Sequence, residues 1–304
     1  MHRIILWLMA VLITITAAIY QRMTGPTNPK REEISLNDSL YKIRLIRSIG
    51  LDERSEIRLS INDSTIKAKV YYKRFRSDDE YQQAPFIFKE YSVDSFIMNR
   101  IFGIAREKGL YAALPPQPPA GKIQYYIEFT DKYGIKTLMK ESPVIIRYKG
   151  GVPAWILTPH ILLMFLAMLF STASGLFAAF KMPVYKKYGT LTLYFLIAGG
   201  MIFGPIVQKY AFGEFWTGIP FGWDMTDNKL LIALLFWVSA VIMNRKTEKP
   251  FVTITAAVVL LLVYSIPHSL FGSELDYDTG RVIQGYSLFF SIFMSQKNLK
   301  LSAA

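Results

Sequence analysis

The chain has 304 residues, 52% of them hydrophobic, and a formal net charge of +12. It has no cysteine, which excludes disulfides, thiolate metal sites, thiol catalysis, lipoprotein anchoring and covalent haem attachment through a C-x-x-C-H motif. The positive excess is not one block. Much of it lies on short segments beside apolar runs, and residues 21–150 carry about +7 of it mixed with carboxylates, which argues against a nucleic-acid partner.

Taken in chain order, the first element is an apolar run over residues 4–20, after Arg3 and before Arg22. It is nearly long enough to cross a bilayer and shows no convincing small-residue cleavage site, so an uncleaved signal anchor is expected. Residues 21–150 have ordinary soluble composition. Short runs rich in β-branched and aromatic residues recur there: 41–47, 56–61, 65–75, 123–130 and 136–148. Their alternation fits strands with one buried face. Turn signals fall at Asn62-Asp63, at 115–121 and at 131–134. The stretch 86–105 alternates poorly and leaves room for a short helix.

Residues 109–134, "GLYAALPPQPPAGKIQYYIEFTDKYG", resemble a pattern of fibronectin type III and immunoglobulin-like extracellular modules. In these a proline-glycine turn leads to a Tyr-Tyr-Ile strand and an Asp-x-x-Gly hairpin. The resemblance implies a β-sandwich used for contact or spacing. The immunoglobulin cysteines and a core tryptophan are absent. Among Tyr71, Tyr72, Tyr125 and Tyr126, half are expected in the core and half on the strand surface.

Four further apolar runs follow, over 154–180, 191–212, 230–243 and 251–270; a sixth, 282–294, is short for a span. The links alternate in charge. Residues 181–187 and 244–249 are basic, whereas 212–229 and 273–280 are acidic, and Lys297 and Lys300 lie in the tail. The positive-inside rule then makes the N-terminus, the basic links and the tail cytoplasmic. Residues 21–150 and both acidic links fall outside.

His160 and His268 lie near the outer ends of the second and fifth runs. His160, Met164, Ala167 and Ser171 share one helical face, continued by Gly175 and Ala179 as a small-residue stripe that favours close helix approach. Gly200-x-x-x-Gly204 offers a facing surface. Two inward imidazoles at one depth can ligate a haem iron, share a metal with Asp224, Asp227 or Glu274, relay protons, or simply bond backbone carbonyls and hold helices together. Asp227, with Asp224, also suits the N-terminus of the fourth run.

Residues 212–237, "FGEFWTGIPFGWDMTDNKLLIALLFW", resemble the tryptophan-rich WWD loop of membrane proteins that handle haem in cytochrome c maturation. Gly213, Phe215, Trp216, Trp223 and Asp224 occupy similar places, and the two histidines fall before and after. The resemblance implies a haem site of His160 and His268 with Trp216 and Trp223 against the ring. Here the loop is longer between its tryptophans, and the histidines lie at span ends.

The expected fold is therefore a membrane all-α bundle of five to six spans, including the signal anchor, with an inserted all-β sandwich. It divides into a signal anchor (1–20), an extracytoplasmic sandwich (21–150) and a bundle with a short cytoplasmic tail (151–304). The expected function is a non-enzymatic envelope scaffold or binding component with a protein partner at the sandwich. Haem binding or handling is the alternative. No phosphate loop, dinucleotide fingerprint, H-E-x-x-H or G-x-S-x-G occurs.

Overall fold

The structure is a computed structural model, and it describes residues 2–92, 106–267, 273–280 and 282–283. His268, nearly all of the short run 282–294, and residues 93–105 of the 86–105 stretch lie outside them. The chain forms two compact units. One comprises Met1–Pro26, Gly151–Glu274 and Arg281–Ala304; the other comprises Thr27–Gly150 and Leu275–Gly280.

The first unit is helical: α1 (His2–Thr24), α2 (Ala154–Ala179), α3 (Tyr185–Phe212), α4 (Met225–Met243) and α5 (Pro250–Ser265). The first four are long and apolar enough to cross a membrane; α5 is apolar but shorter, at 16 residues. Helix contacts are built from small residues. A Cβ on Gly175 of α2 would lie 2.6 Å from the Ala257 Cβ of α5, so the predicted stripe meets α5 at Gly175, while its last member, Ala179, is exposed. Ser171 and Ala167 on the same stripe are buried. On α3 the close approach is at Gly199, whose Cβ would sit 2.7 Å from that of Leu163, and at Gly200, packed against Leu230. The expected Gly200/Gly204 surface divides: Gly204 lies by His160 of α2, whereas Gly200 packs on α4 and Gly199 takes its place against α2.

Helix α3 begins six residues before the apolar run that announced it. It is α-helical at both ends, with a π-helical stretch at Leu196–Phe203. Pro205 has no N–H to bond the carbonyl of residue 201, and the wider turn accommodates that loss over a glycine pair. The α4–α5 turn is closed by buried Asn244, which bonds Ala240 O (2.8 Å), accepts from Lys249 N (2.8 Å) and accepts from the Tyr185 hydroxyl (2.7 Å).

The second unit is β-structured. A hairpin pairs β1 (Lys30–Leu36) with β2 (Ser39–Leu45). Its two turn residues, Asn37 (φ 47°) and Asp38 (φ 66°), are both left-handed, a conformation Asn and Asp adopt most readily after glycine. A six-stranded sheet contains β3 (Ser48–Gly50), β11 (Val144–Lys149), β9 (Lys122–Asp131), β5 (Lys67–Arg74) and β6 (Gln82–Pro85) in that order, with β10 (Gly134–Leu138) paired to the far half of β9. All neighbours are antiparallel except β3 and β11. A three-stranded sheet runs β4 (Glu56–Leu59), β8 (Arg106–Ala113) and β7 (Ile87–Ser92).

Alternate residues of both sheets meet in one hydrophobic cluster. Val70, Tyr125, Ile127 and Phe129 come from the larger sheet; Ile57, Leu59, Leu110 and Ala112 come from the smaller. The predicted strand over 136–148 is two strands, β10 and β11. The 86–105 stretch begins as strand β7. Strand β1, "KREEISL", carries too much charge to read as a strand, yet pairing with β2 buries Leu36.

Candidate functional site

His160 sits two turns into α2. Its Nδ1 lies 2.8 Å from the carbonyl oxygen of Gly199 in the π-helical stretch. A carbonyl only accepts, so Nδ1 carries the proton and Nε2 holds the lone pair. A Cβ at Gly204 would approach the His160 Cε1 to 3.8 Å, so α3 passes close to the ring.

The link between α3 and α4 starts at Gly213, whose left-handed backbone (φ 91°) ends α3 with a bond from its N–H to Lys209 O (2.9 Å). The Lys209 ammonium bonds Gly213 O and lies 5.3 Å from the Phe215 ring centre. Trp216 donates its indole N–H to Ile219 O (3.1 Å). The underside of the link is polar and pinned. Buried Asp227 accepts from Thr217 N (2.6 Å), Thr217 Oγ1 (3.2 Å) and Gln208 Nε2 (3.2 Å). Gln208 Nε2 also donates to Thr217 Oγ1 (2.6 Å), and Asn228 Oδ1 accepts from Ile219 N (2.8 Å).

Asp224, not Asp227, is the N-cap of α4: its carboxylate accepts from Thr226 N (2.7 Å) and Asp227 N (3.2 Å). Gly218 is required where it lies, since a Cβ there would come within 2.6 Å of the Asp227 Cβ. The upper side is apolar and open: Phe221 is 82% exposed and Trp223 69%.

One turn into α4, buried Lys229 donates to Ile266 O (2.7 Å) just past the end of α5, and Gln21 of α1 donates to Tyr264 O (2.8 Å). Carbonyls at a helix C-terminus lack intrahelical partners, and these two side chains supply them.

The predicted residues thus divide. Asp224, Asp227, Trp216 and Trp223 belong to one link, with both carboxylates committed to local donors. His160 is bonded to the π-helical stretch. Glu274 is buried in a two-residue strand with Leu275, and His268 lies outside the described residues. Among the described residues, no group of three or more His, Asp or Glu side chains is arranged to hold a metal ion. Gln208, Thr217, Asn228 and Lys229 were not singled out from sequence. Lys229 alone carried a signal, a cation where an apolar run begins.

The β unit has its own polar features. Tyr277 of the 275–280 segment accepts from Lys122 N (3.0 Å) and stands within bonding distance of Gln117 Oε1 (2.9 Å), and Leu275 N bonds Ala120 O (3.0 Å). The Arg74 guanidinium lies 5.0 Å from the Tyr277 ring centre and forks onto Asp79, with Nη2 at 2.7 Å. That hydrogen-bonded pair lowers the Asp79 carboxyl to about 2. Burial pushes the Tyr148 phenol up to about 12 and raises that of Tyr125 as well. Comparison with protein-family models, with curated proteins and with solved structures finds no match for this chain.

Proposed function

We propose that this is an integral membrane protein that acts as a non-enzymatic scaffold or binding component of a cell envelope, presenting its β unit as an extracytoplasmic sandwich. One observation carries the membrane part: the outward faces of the helices are apolar along their length. Ile4, Leu8, Leu12, Leu162, Leu235 and Leu262 are each between 56% and 66% exposed. Such a surface is costly in water and suited to hydrocarbon. The β unit is inserted between the first and second candidate spans, and the link charges put it outside by the positive-inside rule. The pinned aromatic link then lies on the same side, its exposed tryptophan and phenylalanines at the depth where aromatic rings favour the interface. Alkaline carbonate washing of membranes tests integration. The protein is expected in the pellet, and release into the supernatant would overturn the reading.

A second reading, haem binding or handling, is favoured by the tautomer of His160. With Nδ1 tied to Gly199 O, Nε2 presents a lone pair of the kind an axial ligand uses. His160 fits one axial position; His268, the candidate for the other, lies outside the described residues. The visible spectrum of the detergent-purified protein supplied with haem is the test. A Soret band lost in both His160→Ala and His268→Ala supports it, and a protein that stays colourless refutes it.

A further inference from the structure

The outward face of β5 and β9 carries a row of lysines. Along β5, Lys67, Lys69, Tyr71 and Lys73 point away from the core, alternating with core-packed Ala68, Val70 and Tyr72. Some other cations of the unit do pair with carboxylates, among them Arg74 with Asp79, Lys132 with Asp38 and Lys136 with Asp131. Among the described residues, Lys67, Lys69 and Lys73 are in no ion pair; Lys69 bonds the neutral Gln83 amide (3.3 Å) and Lys73 the Ser77 carbonyl (3.2 Å). Glu128 is the one carboxylate facing outward from β5 and β9, and it accepts the Tyr71 hydroxyl at 3.4 Å.

Between the lysines, Tyr71 and Tyr126 are cross-strand partners with rings stacked at 4.9 Å and 2°. Tyr81 packs edge-on against Tyr126 at 5.2 Å. Because these rings cover one another, they offer hydroxyls and edges more than free faces. That disfavours nucleic acid, whose bases need open aromatic faces to stack on. It suits a ligand rich in hydroxyls, which phenols and the Gln83 and Gln124 amides can hydrogen-bond. Alternate residues of a strand lie about 6.7 Å apart, so Lys67 to Lys73 makes a cationic row about 20 Å long. At the Lys73 end, Lys73, Arg74 and Tyr81 line a cleft of about 610 Å³ together with the carboxylates Asp79 and Glu80, the first of them paired with Arg74.

We propose that this face binds an extended anionic polysaccharide. The three lysines take its carboxylates or other acidic groups, and the stacked tyrosines hydrogen-bond its hydroxyls. The proposed occupant of this face is thus a glycan. The inference rests on the reading that the β unit faces outside the cell, where such polymers lie.

The test is binding of the detergent-purified full chain to polygalacturonate, with neutral dextran and a single-stranded oligonucleotide as comparisons. Polygalacturonate is expected to bind, more weakly as salt rises, and dextran is expected to bind at least tenfold more weakly. The variant Lys67→Gln/Lys69→Gln/Lys73→Gln is expected to lose at least tenfold in affinity. Lys42→Gln/Lys108→Gln/Lys140→Gln, which removes the same charge from other exposed sites, is expected to change it less than twofold. Tyr71→Phe/Tyr126→Phe keeps the stack, and a loss of about threefold or more is expected from the missing hydroxyls. No binding, equal binding of dextran, tighter binding of the oligonucleotide, or equal loss in the two lysine triples overturns the inference. Purified protein binds irrespective of its orientation in the cell. A failure here therefore leaves the topology standing, and an inverted topology would show up separately by labelling.

Discussion

Replacing Asp227 by alanine is expected to loosen the link between α3 and α4 more than any other single truncation in it. The carboxylate receives three donors; without it Gln208 Nε2 keeps its bond to Thr217 Oγ1 (2.6 Å), whereas the Thr217 hydroxyl and backbone N–H both lose this acceptor. The Thr217 backbone N–H, 2.6 Å from Asp227 Oδ2, makes the shortest of the three bonds that are lost. A buried orphan donor costs about 1–3 kcal/mol, and hydrogen bonds to a charged acceptor contribute about 1.5–3 kcal/mol. Removing the buried carboxylate also relieves its desolvation, which offsets part of this. We expect a net loss of about 3 kcal/mol for Asp227→Ala and about 1 kcal/mol for Asp227→Asn, which keeps one acceptor oxygen. Asp224→Ala, which removes the α4 N-cap, is expected to cost about 1 kcal/mol. Glu214→Ala, at an exposed position, is expected to stay within about 0.5 kcal/mol of the parent. Urea unfolding in mixed micelles, followed by tryptophan fluorescence, supplies the comparison. The reasoning fails if Asp227→Ala costs no more than Glu214→Ala, or if Asp227→Asn costs more than the alanine.

Two further predictions concern packing and pH. Gly175→Ala forces its methyl against Ala257 and is expected to cost about 1–3 kcal/mol in the same assay, most of it recovered in Gly175→Ala/Ala257→Gly; an additive double variant would refute the contact. In the β unit the lowered Asp79 value means stability that is complete above the ordinary carboxylate range. It is lost as pH falls from about 4 toward about 2, and Arg74→Met should flatten that acid limb. The raised Tyr148 phenol acts in the opposite sense, so stability is lost as pH rises from about 10 toward about 12, and Tyr148→Phe should move the alkaline limb upward. Thermal unfolding across pH measures both.

Much of this was legible from the residues. The inward stripe of α2 follows from small residues at helical spacing, and Gly175 against Ala257 is its physical content. The division of the tyrosines also follows from alternation: Tyr125 is wholly buried and Tyr72 packs on the core, while Tyr71 and Tyr126 stack outside. What stayed hidden depended on partners far away in sequence. β1 is a strand only because β2 pairs with it. Gly199 takes the place of Gly200 against α2 within the π-helical stretch, which no periodicity announces. The network of Gln208, Thr217 and Asp227 requires two helix ends and a loop to meet, and Asp224 took the cap because the chain turns into α4 one residue after it.

The sidedness of the β unit tests the central claim most directly, and the absence of cysteine makes it simple to measure. Single cysteines replace Thr130, exposed on β9, or Lys246, exposed in the basic α4–α5 link. Intact cells are then treated with a membrane-impermeant maleimide. Labelling of Thr130→Cys in intact cells, with Lys246→Cys labelled only after permeabilisation, is the predicted result. The reverse pattern, or equal labelling of both before permeabilisation, would contradict an outward-facing β unit on a membrane-spanning bundle.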